Sequence, residues 1–259
     1  MNTRNWLLGI LLLGLTACGS GFGATPTPTA SLTPLPSQTP TPLPTATETL
    51  VPSPTPIPLT ELCTPLADHD LARITSYISN AYVETLTSNG ENGHHGVDFS
   101  YYRKDGVGGP IDGTPVQTML DGRVVGLGFD RLPYGNMVVV ETPYAIIPPE
   151  LAAIYQLQPG QSLYLLYGHM LENPTLAIGD PLTCGQQLGL VGNSGFSGNP
   201  HLHLETRVGP SGIDMPTMIF YDTTATLEEQ ANYTEWRQGE TWTKYSPNLL
   251  LDYAMAISE

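Results

Sequence analysis

Basic side chains are scarce in this sequence: nine Lys and Arg stand against 24 Asp and Glu, for a formal net charge of -15. Such a chain repels phosphate backbones and anionic membrane surfaces, which argues against nucleic acid as a partner. The acid excess favours amine-bearing substrates only weakly. Long apolar runs are lacking too, since the run at residues 6–15 is too short to cross a bilayer. There is no H-E-x-x-H, which excludes a thermolysin-like site with a glutamate base. Cysteine is limited to Cys18, Cys63 and Cys184, and no C-x-x-C supports zinc ligation by Cys184.

What is present falls into three parts. Residues 1–17 place Arg4 ahead of the apolar run and then small residues, as in a secretory signal. Leu15-Thr16-Ala17-Cys18 resembles a bacterial lipoprotein cleavage site, at which Cys18 becomes the lipid-bearing terminus and anchors the protein without spanning the membrane. Residues 18–60 are dominated by Thr, Pro and Ser and cannot bury a core. They read as a stalk favouring polyproline II, with a reach on the order of 100 Å when stretched. Residues 61–259 then hold one folded domain.

Within that domain, short apolar runs at 115–120, 123–127, 137–141, 162–167, 187–191 and 201–208 are separated by Gly, Pro and Asp. They predict a mainly β fold, an antiparallel β sandwich or partial barrel with a few peripheral helices. Asp121-Gly122 reads as a hairpin turn between the first two runs. Helices are expected at 70–78, from Pro149 to about residue 157, and from the Thr226/Glu229 capping box to Gly239. Trp236, Trp242 and Tyr245 are expected to pack this C-terminal extension against the sheet, the alternative use of such aromatics being to grip glycan.

Of six histidines, five fall in three short segments: His94 and His95 in GHHGVDF, His169 in YLLYGHM, and His201 and His203 in PHLHLE. The sixth, His69, reads as a surface residue. Residues two apart on a strand share a face, so His201 and His203 enter one groove, delivered by the Gly/Ser-rich loop before them. A catalytic zinc needs three protein ligands and an open position, and two His with one Asp meet that need. Two more histidines are then free to handle protons. Spacing alone does not separate His94 from His95. His94 and Asp98 also fit one helix face, but Gly93 and Gly96 favour a tight turn. Glu205 shares the strand face of the H-x-H pair, as a partner of a ligand or as a solvated acid.

The pattern H-x-x-x-D (His94, Asp98), Y-x-H (Tyr167, His169) and H-x-H (His201, His203) resembles the lysostaphin-type, LytM-like zinc endopeptidases that cut peptidoglycan. Flanking words agree, among them GTPV, DGRVVG, YGNMVVVE and CGQQLGLVGNSG, and the resemblance covers about residues 90–208. It departs at Ser197-Gly198-Asn199-Pro200 and at Phe99. The resemblance implies Zn2+ held by His94, Asp98 and His203, with His169 and His201 as the catalytic pair. His201 is then the base and His169 the oxyanion stabiliser, or the reverse. It implies hydrolysis of stem peptides or cross-bridges by a lipid-anchored enzyme on the wall side of a bacterial membrane, expected as a monomer. The alternative is a non-catalytic LytM-like wall-binding protein or amidase regulator. With Cys18 lipidated in an exported chain, Cys63 and Cys184 are left as disulfide candidates.

Overall fold

The computed structural model describes residues 61–84, 93–100, 109–220 and 222–258. The expected signal, Cys18 and the Pro/Thr stalk lie outside the described residues. In chain order the strands are β1 (Ile78–Asn80), β2 (Gly96–Ser100), β3 (Pro115–Gln117), β4 (Gly122–Arg131), β5 (Gly135–Pro143), β6 (Gln161–Met170), β7 (Pro181–Leu182), β8 (Gln187–Leu190), β9 (His201–Pro210) and β10 (Thr243–Tyr245). The helices are α1 (Pro149–Ile154), α2 (Leu227–Gln238) and α3 (Asn248–Ser258), with a 3-10 turn at Leu71–Tyr77.

Alternation along β9 fixes how the sheet is used. Leu202, Leu204 and Val208 enter the larger core, while His203, Glu205 and Arg207 point to the opposite face. β9 sits inside an eight-stranded antiparallel sheet of order β1-β2-β9-β6-β5-β4-β7. β6 runs along its full length on one side. On the other side β2 covers residues 201–205 and β10 continues over 206–208. The fold is therefore mainly antiparallel β with few helices, as the spacing of the apolar runs predicts.

The two faces bury different segments. On one, Val97, Phe99, Val138, Leu165 and Tyr167 pack with α1, α3 and the small β3–β8 sheet. On the other, Val125, Met137, Val139 and Leu166 meet Met215, Met218, Tyr233, Trp236 and Trp242 from the segment after β9. α2 opens with the expected capping box, in which the backbone N–H of Glu229 donates to Thr226 Oγ1 at 3.2 Å and that of Thr226 to Glu229 Oε2 at 2.8 Å. Cys63 and Cys184 are joined, with Cα atoms 5.6 Å apart.

Two expectations need correction. Asp121-Gly122 does not turn a hairpin, because Pro115–Gln117 pairs with β8 in the separate sheet and β4 pairs instead with β5. Asp121 acts as a connector: its carboxylate accepts the N–H of Cys184 at 2.7 Å and its carbonyl accepts Thr142 Oγ1 at 2.8 Å. Nor do residues 94–98 form a tight turn. Val97 and Phe99 are both fully buried, and their alternation draws Gly96–Ser100 into a strand that pairs with β9.

Candidate metal centre

Pairing of β2 with β9 sets Asp98 directly across from His203. Their side chains share the face away from the larger core, and the His203 Nδ1 to Asp98 Oδ1 distance is 2.8 Å. His94, in an isolated bridge with Val83, brings Nε2 to 3.1 Å from Asp98 Oδ1 and 3.3 Å from His203 Nδ1. The close approach depends on Gly96. A Cβ there would run into the carbonyl oxygen of Leu204 and stand 2.7 Å from His203 Cε1.

Each imidazole is held from behind by an acceptor. His94 Nδ1 donates to the Ala81 carbonyl at 2.8 Å, and His203 Nε2 donates to Glu205 Oε1 at 3.1 Å. A carbonyl or carboxylate only accepts, so each neutral ring turns a lone pair inward. Two lone pairs and a carboxylate oxygen, separated by 2.8–3.3 Å, repel one another unless a proton or a cation lies among them. Ligand atoms of a tetrahedral zinc at about 2.0–2.1 Å lie roughly 3.3 Å apart, so the triangle suits one such ion. Among the described residues, His94, Asp98 and His203 form the group that can hold a metal.

Glu205, on the same face as His203, is fully buried and accepts from four groups. Besides His203, these are Tyr134 Oη at 2.7 Å, Trp236 Nε1 at 3.0 Å and Arg207 Nη2 at 2.6 Å. Burial works against its charge, but Arg207 and His203 outweigh it and hold the carboxyl well below its usual range. Asp98 behaves likewise: burial opposes ionisation, and without a metal a proton on the inward nitrogen of His203 or His94, donated to its carboxylate, holds it ionised. Burial also works to lower His203, yet its bonds to Asp98 and Glu205 raise it to about 9.

His169 and His201 stand beside this group, their rings 4.5 Å apart. His201 Nε2 lies 3.6 Å from Asp98 Oδ1, and its Nδ1 donates to the Asn199 carbonyl at 2.8 Å. His169 reaches the site through an irregularity. Strict alternation after Leu165 and Tyr167 would send it into the larger core, but the β5–β6 register shifts between Asn136 and Val138. His169 adopts φ 62° there and turns to the other face, with Nδ1 donating to the Ser194 carbonyl at 2.8 Å. Burial, then the neighbouring His203 and His201, lower its pKa to about 3.

All five predicted site residues on these strands thus line one groove of about 850 Å³. His95 points away, buried and 3.5 Å from Arg207 Nη2. His69 is partly buried rather than on the surface, edge-on to Tyr77 at 4.8 Å. Sequence reasoning missed Arg207 and Trp236, which act through Glu205, and Tyr134, which binds Glu205 and also lines the groove. It also left open what walls the groove: Phe220, Tyr233, Arg237 and Gln238 from the C-terminal segment do so. The 142–161 connection packs on the opposite face through Leu151 and Tyr155.

No protein-family model and no curated protein matches this sequence. Solved structures do match. The catalytic domain of the antimicrobial peptidase lysostaphin from Staphylococcus simulans is 20% identical over 71% of this chain and 99% of that one, with a TM-score of 0.40. The catalytic domain of the prophage-encoded M23 protein EnpA from Enterococcus faecalis is 22% identical over 52% of this chain and 81% of that one, with a TM-score of 0.36. A zinc-containing peptidase from Vibrio cholerae is 25% identical over 50% of this chain and 32% of that one, with a TM-score of 0.33. The structural neighbours of this chain thus include lysostaphin and peptidases described as M23.

Proposed function

We propose that this chain is a zinc-dependent peptidase that hydrolyses peptide bonds of peptidoglycan stems or cross-bridges. In this reading it is held outside the membrane by a lipid on Cys18. The supporting observation is the set of four imidazoles around one groove, each with one nitrogen tied to an acceptor so that the other is left for an ion or a proton. His94, Asp98 and His203 would hold the ion; His169 and His201 remain for proton transfer.

A zinc ion held there supplies a Lewis acid that polarises a carbonyl and acidifies water. His201 Nε2 takes the proton of the attacking water and returns it to the departing amine, and the Asn199 carbonyl on Nδ1 steadies the imidazolium formed between the two transfers. His169 has a different task from the oxyanion donor expected above. Its single proton is given to the Ser194 carbonyl, so Nε2 is an acceptor, and its lowered pKa keeps it neutral at neutral pH. It orients the water or shares the base role.

The test combines metal analysis with digestion of defined muropeptides. Wild type is expected to carry one zinc and cut. His203→Ala should lose both metal and cleavage, whereas His201→Ala should keep the metal and lose cleavage. Equal metal loss in the two variants refutes the assignment of ligands, and a zinc-loaded wild type inert toward every muropeptide refutes the peptidase reading.

A further inference from the structure

We propose that Arg237 forms an anion subsite in the groove, receiving a free carboxylate of the peptide that binds there. The inference rests on the peptidase reading and names the chemistry of its substrate. Among the described residues lining the groove, Arg237 is the one Lys or Arg. It comes from α2, in the C-terminal segment outside the matched motifs.

The other paired arginines are committed. Arg123 binds Glu141 at 2.7 Å and Asp214 at 2.6 Å, Arg131 lies 3.7 Å from Glu229, and Arg207 binds Glu205 at 2.6 Å. Among the described residues Arg237 has no such carboxylate. Glu205, the buried acid whose field reaches Arg237, already accepts from His203, Tyr134, Trp236 and Arg207, which occupy both of its oxygens. Arg207, Arg237 and Lys244 therefore share the field of one carboxylate, a local excess of positive charge in a chain of net charge -15.

Glu205 through space and Tyr134 by a hydrogen bond favour the charge of the half-buried Arg237 guanidinium, and with five N–H donors it can hold Tyr134 and still offer a ligand its fork. Its planar fork matches a carboxylate through two parallel hydrogen bonds. An acidic peptide would otherwise meet only repulsion from so acidic a protein, and Arg237 supplies attraction at the groove itself. Its place in the last turn of α2 also suits the helix dipole, but a dipole role alone does not distinguish one ligand from another.

The experiment uses the zinc-loaded full chain and two probes: a stem tetrapeptide with its carboxylates free, and the same peptide fully amidated. Binding is measured by calorimetry and turnover is followed separately. Wild type should bind the free acid about tenfold or more tighter than the amide. Arg237→Gln should abolish that preference, raise KM for the acid with kcat little changed, and leave affinity for the amide intact; Arg237→Lys should restore part of it. Equal affinity of wild type for both probes, or an Arg237→Gln variant that still prefers the acid, overturns the proposal. Acid-selective binding without turnover upholds the subsite while the peptidase reading fails, so the two are separable.

Discussion

Glu205 accepts the Nε2 proton of His203 at 3.1 Å from two residues along the same strand. This contact fixes which nitrogen His203 turns toward Asp98. Glu205→Gln is expected to weaken zinc binding about 10- to 100-fold. The same change strips Arg207 of its charge partner in a buried setting and should cost on the order of 3–5 kcal/mol of stability. Competition against a chelating dye reads the first and urea unfolding the second. A folded variant with unchanged zinc affinity would show that the carboxylate does not orient the ligand.

Gly96 offers an independent check on the same ring. A methyl group there meets the Leu204 carbonyl oxygen, which belongs to the backbone of β9 and cannot rotate away. Gly96→Ala should therefore shift β2 against β9, lower stability by about 1–3 kcal/mol and loosen the metal site. Thermal unfolding with zinc stoichiometry measures both. An unperturbed melting temperature would contradict the close packing of β2 on His203.

The metal-free protein should be most stable near pH 6.5, the ordinary histidine value. His203, raised to about 9 once its bonds to Asp98 and Glu205 outweigh burial, contributes stability that is complete below the unfolded value and lost as pH rises toward 9. His95 and His169, lowered to about 3 chiefly by burial, act in the opposite sense. They bind protons in the unfolded chain first, so stability falls as pH drops below 6.5. Unfolding midpoints of chelator-treated protein across this range test the maximum. Saturating zinc should remove the alkaline decline, because the ligand can no longer carry that proton.

Joining Cys63 to Cys184 ties residues separated by 121 positions, and neither cysteine lines the groove. Replacing both with serine should destabilise by about 4–5 kcal/mol in the chain-entropy description while zinc content stays the same. Urea titration of the double variant measures the first quantity and metal analysis the second. Loss of zinc in a still-folded double variant would mean the bridge supports the site more directly.

The part of the site carried by period-two alternation was legible in the chain. His201 and His203 share a face because β-strands repeat every two residues, and the buried alternation of Val97 and Phe99 places Asp98 opposite by the same rule. That second signal lay in GVDF and was masked by the flanking glycines. His169 was legible as a residue but not as a geometry, since a register shift reverses its face; Gly168 beside it is the only local hint of a bulge. Arg207, two residues beyond Glu205, obeys the same rule, whereas Tyr134 and Trp236 gave no sign. Their connection to the site is a convergence on one buried carboxylate from separate parts of the chain, and no spacing rule reports that.

The indole of Trp236 donates to the carboxylate that steers His203. A boundary drawn where the recognisable motifs stop, near residue 208, would remove Trp236 and leave that carboxylate and the Arg207 guanidinium beneath its ring open to solvent. Helix α2 is thus built into the candidate metal centre, and any graft of this groove onto another carrier must bring it along.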